Sequence, residues 1–205
     1  MKDDTYMNRR IAMALYQALD KAPFYITLEK ESFPDAAQAR EAMFRYYDYA
    51  LQEAREHGRL TLTQDRASGA AIWSRPLDKA AATALAHRKK AFIRDHMGRG
   101  SLAAYTAIVD FMADRSKGVV PDHSWYLSIL GLAPECQGKG LGNTLLAPVL
   151  TETDALSVPV YAESFIPKNF TFYMRLGFEQ VLSVEEPVTG SAYTILVRPP
   201  GGKKT

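Results

Sequence analysis

The residues whose types and spacing could do chemistry gather between Leu127 and Leu150. An apolar run passes through Gly131-Leu132-Ala133-Pro134-Glu135-Cys136 into the glycine turn Gln137-Gly138-Lys139-Gly140-Leu141-Gly142, and a helical pattern follows. Strand, glycine turn and helix N-terminus in that order make an anion site. The free N–H groups of the first helical turn point outward, the macrodipole adds about half a positive charge, and glycines let a phosphate approach the backbone. A P-loop would need Ser or Thr directly after its Gly-Lys, and Lys139 is followed by Gly140. A dinucleotide fingerprint would need a third glycine at Asn143 and an acidic residue after a second strand. Neither pattern fits, which leaves another kind of diphosphate cradle.

Gln137-x-x-Gly140-x-Gly142, preceded by Leu-Gly-Leu-Ala-Pro, resembles the coenzyme A pyrophosphate loop of the GNAT acetyltransferase superfamily. A second block strengthens the resemblance. After the short strand Val158 to Ser164, the run Asn169-Phe170-Thr171-Phe172-Tyr173-Met174-Arg175-Leu176-Gly177-Phe178 is similar to the family's Asn…Phe-Tyr-x-Arg-Leu-Gly-Phe block. From Trp125 to Phe178 the likeness is strongest to the puromycin N-acetyltransferase-like branch; elsewhere only the order of elements is similar.

The resemblance implies acetyl-CoA as cofactor, no metal, and an N-acetyltransferase acting by direct attack in a ternary complex. Such chemistry needs a deprotonated amine, a donor for the carbonyl's developing charge and an acid for the leaving thiolate. The family pattern assigns the oxyanion donor to the Leu132 N–H and pantetheine pairing to Leu130. It gives the diphosphate to Gln137, Gly138, Lys139, Gly140, Leu141 and Gly142, with Asn143 as a side-chain contact. It makes Tyr173 the general acid and Asn169, four residues earlier on the same helical face, a coenzyme contact. Glu163 is the candidate base, because burial on its strand would raise its pKa. Each has a plainer alternative: Tyr173 a core aromatic, Asn169 an N-cap, Glu163 an exposed strand carboxylate or ion pair. The histone-modifying branch carries its base where this chain has Tyr126. His123 titrates in the right range but stands alone, and Cys136 has no histidine near it in sequence, so it reads as a packing residue.

These residues need elements to position them. The resemblance implies an α/β fold with a mixed, mostly antiparallel twisted sheet, flanked by helices and splayed between its fourth and fifth strands. Residues 1–205 read as one domain: acceptor-side helices and a hairpin over 8–118, a coenzyme-binding core over 124–178 and a C-terminal hairpin over 178–198. The family opens on a strand, whereas helical spacing here begins at Asn8, so that strand is expected to be missing, leaving an edge that a second copy could cover in a homodimer. A helix is predicted over 35–57, started by Ser32 and Pro34 and stopped by Gly58. A hairpin follows over 59–74, then two helices, 78–96 and 101–115, separated by Gly98 and Gly100. In the family the first helices wall the acceptor, which makes Phe24, Tyr25, Tyr46, Tyr47 and Tyr126 candidate substrate contacts; aromatics at helical spacing are otherwise core. Arg88, Lys89, Lys90, Arg94 and Arg99 form a basic run, ordinarily a solvated face, with a role beside an acidic substrate or the coenzyme's 3′-phosphate as the alternative. Gly201 to Thr205 reads as a disordered tail.

Composition sets the outer bounds. A hydrophobic share of 47% over 205 residues suits one domain with a real core. A net charge of +2, from 25 basic and 23 acidic residues, gives no reason to expect nucleic acid or an anionic membrane as partner. The single cysteine cannot close an intramolecular disulfide, and Met1-Lys2-Asp3-Asp4 does not open a signal peptide, so a cytoplasmic protein is expected. The expected acceptor is a primary amine of a small molecule. A protein-modifying acetyltransferase and a non-catalytic acyl-CoA sensor stay as alternatives.

Overall fold

The computed structural model describes residues 2–202, with side chains of the first helix described from Asn8 onward. Helices α1 (Lys2–Ala18), α2 (Pro23–Lys30) and α3 (Ala36–His57) come first, so no strand precedes the first helix among the described residues. The helix at 23–30 was not separated in the sequence, because it is short; Pro23 occupies its first turn, where a missing N–H is harmless. Asp35, rather than Ser32, caps α3 by accepting the Gln38 N–H at 2.8 Å, and Gly58 closes it. Strands β1 (Gly58–Leu62) and β2 (Gly69–Ser74) form the expected hairpin, its turn built by Asp65, which accepts the Ala67 and Ser68 N–H groups.

Helix α4 (Lys79–Ser116) is two helices joined at Gly98, whose φ of 90° only glycine adopts readily. Then come β3 (Trp125–Leu132), α5 (Leu141–Ala155), β4 (Val160–Ser164), α6 (Phe170–Arg175), β5 (Glu179–Glu186) and β6 (Ser191–Arg198). Gly177 ends α6 with φ 85°. The six strands form one mixed sheet in the order β1-β2-β3-β4-β6-β5, parallel only between β3 and β4.

The residues of β2 alternate between two cores, as the two-residue period of a strand requires. Ala70 and Ile72 face α1 to α4, packing with Ile11, Leu15, Leu28, Met43, Leu51 and Ile93; Ala71 and Trp73 face Leu145, Leu146 and Val149 of α5. Gly131 lets α1 lie directly on β3: a Cβ there would come within 2.7 Å of Leu15 Cδ2 and 3.1 Å of Ala18 Cβ. The tail differs from expectation. Pro200–Gly202 form a 3-10 turn, and the Gly201 N–H donates to Asp154 at 2.7 Å. Lys203 to Thr205 lie outside the described residues.

A candidate active site where two cavities meet

The site begins with a pairing that stops early. Strands β3 and β4 pair only at Trp125–Val160, Tyr126–Tyr161 and Leu127–Ala162, after which β3 continues to Leu132 against β2 alone. The Ala133 N–H donates to Ser68 O at 2.8 Å. Because backbone groups alternate sides along a strand, the N–H groups of Leu132 and Leu130 point away from β2 into the gap. This leaves an open ladder edge inside the molecule, reachable by a ligand that can hydrogen-bond as a strand would.

The glycine turn closes one end of the gap. Gly138 and Gly140 have φ of 75° and 77°, and a Cβ at either would meet nothing within 4 Å, so the backbone there faces open space. Gly142, in the first turn of α5, has Phe172 at 3.0 Å from such a Cβ. Gln137 acts differently from the diphosphate role expected of it. Its N–H donates to Pro134 O at 3.2 Å and its side-chain amide to Leu132 O at 2.9 Å, tying the turn to the end of β3. Lys139 is exposed to solvent, whereas Leu141, Gly142 and Asn143 line a cavity of about 570 Å³ running from the turn to Leu130 and Tyr173.

A second cavity, of about 340 Å³, lies on the face covered by α2, α3 and α4. Phe24, Tyr25, Tyr46 and Tyr126 line it as expected, joined by Tyr105, Tyr161 and Phe165. Tyr47 does not. It is 1% exposed and packs in the core, 5.4 Å from the Tyr25 ring centroid, because one step along a helix turns a side chain by about 100°. The two cavities share Leu19, Leu130, Ile166, Asn169 and Tyr173. Leu132 borders only the coenzyme-side cavity, so of the two free N–H groups it is Leu130, not the expected Leu132, that stands at the junction.

Tyr173 is 8% exposed, and burial pushes its phenol up to about 12, so it holds its proton at neutral pH. Its ring is fixed edge-on by Phe172 and Phe178, with centroids at 5.3 and 5.5 Å. Asn169 makes no capping hydrogen bond with its side chain, which removes the plain N-cap alternative. Glu163, on β4, lines the acceptor-side cavity and accepts a hydrogen bond from Tyr193. Burial raises its pKa, while the Tyr193 and Tyr126 hydroxyls pull it back. Tyr126 stacks on Tyr161 at 4.6 Å, so the position where another branch holds its base is an aromatic wall beside Glu163. His123 is exposed before β3 and borders neither cavity, and Cys136 sits half-buried in a 3-10 turn.

Two further residues line the acceptor-side cavity: Glu53, which the sequence did not single out, and Lys89, which it offered only as one member of the basic run. Lys89 on α4 reaches Glu53 on α3 with Nζ–Oε2 at 2.8 Å, and both border the acceptor-side cavity. The basic run containing Lys89 gave no means of telling this lysine from its neighbours. Arg88 contacts His57, Arg94 pairs with Asp95 and Lys90 approaches Asp110, as residues of a solvated face do.

The geometry suits acetyl-CoA: an unpaired strand edge for amide groups, glycines without Cβ obstruction at a helix start for phosphates, and a buried proton donor where the cavities join. No cluster of metal-ligating side chains occurs among the described residues. Comparison with known proteins bears on the same residues. Residues 77–194 match the sequence model of the acetyltransferase (GNAT) domain family. An uncharacterised N-acetyltransferase of Schizosaccharomyces pombe is 31% identical over 84 residues, 40% of this chain; the match spans 34% of that relative's length. Among solved structures, arylalkylamine N-acetyltransferase 2 of Aedes aegypti aligns over 97% of this chain and 96% of its own, with TM-score 0.63 and 10% identity. The polyamine N-acetyltransferase of Drosophila melanogaster covers 94% of each chain at TM-score 0.59 and 13% identity. A histone acetyltransferase-related protein of Corynebacterium glutamicum aligns over 97% of this chain and 93% of its own, at TM-score 0.58 and 16% identity. At these identities the structures establish the fold.

Proposed function

The chain belongs to the GNAT acetyltransferase family, and we propose on that premise that it transfers acetyl from acetyl-CoA to a primary amine of a small molecule by direct attack. The observation that carries this reading is the junction at Leu19, Leu130, Ile166, Asn169 and Tyr173, where the cleft beside the glycine turn meets a separate aromatic cavity. The coenzyme, when bound, supplies an acetyl thioester. The amides from Gly138 to Gly142 hold its diphosphate, and the free edge of β3 pairs with its amide groups.

The Leu130 N–H, aimed into the gap, donates to the carbonyl oxygen as negative charge develops there. Glu163 takes the proton of the acceptor ammonium, a task suited to a carboxylate whose pKa burial has raised toward the working range. As the C–S bond breaks, Tyr173 gives its proton to the departing sulfur, and the second proton lost by the acylated nitrogen restores the phenol. A cavity walled by eight aromatic residues supports a small amine over an extended peptide, which would need an open groove. The likeness to the puromycin N-acetyltransferase-like branch suggests protection against an amine-bearing compound as one role.

Thiol release against a panel of aminonucleosides, polyamines, amino acids and a lysine peptide, beside calorimetric titration with CoA, tests the reading. Turnover with a small amine and not with the peptide is expected. In Tyr173→Phe, kcat should fall about 10²–10⁴-fold, the usual contribution of a positioned proton donor, with CoA affinity retained. CoA binding with no turnover on any amine would identify a sensor, and no CoA binding would remove the assignment altogether.

A further inference from the structure

The acceptor-side cavity has a polar wall on α3 and α4, where Glu53 and Lys89 border it without bordering the coenzyme-side cavity. Lys89 stands half-buried in that wall, with Nζ 2.8 Å from Glu53 and 5.9 and 5.8 Å from the ring centroids of Tyr46 and Tyr49. An ammonium has three donors, and the ion pair engages one of them. Desolvation opposes the charge of Lys89, yet Tyr105 and Glu53 outweigh it and hold the pKa above its ordinary value. The group is therefore a fixed cation. Of the acids lining the cavity, Glu53 is already matched by Lys89, and Glu163 lies on β4 among Tyr126, Tyr161 and Tyr193. A second ammonium on the acceptor would meet a cation here, whereas an oxygen would meet unengaged N–H donors. Tyr25 lines the same cavity, its ring centroid 6.1 Å from that of Tyr46.

We propose that Lys89 determines acceptor specificity by donating to a carboxylate or carbonyl oxygen at the far end of the amine, with Glu53 holding the lysine in place. This rests on the small-amine reading of the cavity. An acceptor of this class spans the space with its amine at the Glu163–Tyr173 end and its oxygen at Lys89, and the aromatic walls pack its middle.

The test compares matched acceptors of equal chain length: ω-amino acids, their primary amides, n-alkylamines and diamines. For the wild-type chain, kcat/KM for the amino acid or amide should exceed that for the alkylamine and the diamine about tenfold or more, the size of one charge-assisted hydrogen bond. Preference for the acid alone identifies a carboxylate, and equal preference for acid and amide a carbonyl. Lys89→Met should bring the ratio to about one, and Lys89→Arg, which keeps a cation, should preserve most of it, with CoA titration reporting that each variant is folded. A wild-type preference for the diamine overturns the proposal without need of a variant, as does an unchanged ratio in Lys89→Met. Turnover with none of these amines overturns instead the small-amine reading beneath it, a result distinct from turnover in the wrong order.

Discussion

Glu163 is the residue at which stability and function pull in opposite directions. Glu163 is half-buried among tyrosines, and desolvation holds its pKa above the usual carboxylate value. The sign follows from linkage. The native state binds this proton more tightly than the unfolded state, so the charged form is disfavoured in the fold and stability falls as pH rises from the ordinary value through the raised one. Glu163→Gln, which cannot ionise, should lack this decline: its Tm should hold steadier than wild type as pH rises above the ordinary carboxylate range. The same variant should lose most of its amine turnover. Thermal melts from acid to neutral pH, run beside thiol release, read both; a Tm profile parallel to wild type would show that the Glu163 carboxyl is not desolvated in the fold.

At the scale of elements, small residues let helices approach close enough to build the acceptor wall. Gly100, just past the Gly98 kink of α4, faces the end of α2, and a Cβ there would stand 2.3 Å from Glu31 O. That neighbour is backbone, so it yields only if α2 and α4 move apart. These helices carry Phe24, Tyr25, Lys89 and Tyr105. Gly100→Ala should therefore cost about 1–3 kcal/mol in urea unfolding, as overpacking commonly does. It should also raise KM for the acceptor while leaving CoA affinity near wild type, because β3, the glycine turn and α5 are untouched. A rise in CoA Kd with acceptor KM unchanged would contradict this division of labour.

At the scale of the molecule, an ion pair ties the last strand to the helix behind the sheet. Arg198 at the end of β6 is 7% exposed; it pairs with both carboxylate oxygens of Asp154 at the end of α5 and donates to Leu176 O at 2.8 Å. The guanidinium, first through its hydrogen bond, holds the Asp154 carboxyl below its usual value. With a depressed folded pKa, this stabilisation is fully present above the unfolded carboxylate range and is lost as pH falls through the folded pKa. Arg198→Met should destabilise by about 1–3 kcal/mol at pH 7, since Asp154 keeps some solvent contact and a charged hydrogen bond is lost. The deficit should shrink once acid protonates Asp154. A deficit independent of pH would assign the loss to packing alone.

The sequence by itself determined the parts whose physics is local. The glycine turn, its helix start and the Asn169-to-Gly177 block depend on spacing and on residues that only certain backbones accept, so Gly140, Leu141, Gly142, Asn169 and Tyr173 and the family were legible in one dimension. The succession of helices and strands along the chain from β1 onward was legible for the same reason. Relations between distant elements were decided only by the tertiary structure. Where β3 parts from β4 makes Leu130 rather than Leu132 the junction residue, and a rotation of one helical position sends Tyr47 to the core while Tyr46 lines the cavity. Lys89 left its basic run only because α4 packs against α3 and brings Glu53 within 2.8 Å. Burial and charge partnership belong to the packed chain, and no period or motif in the sequence records which face of a helix will meet its neighbour.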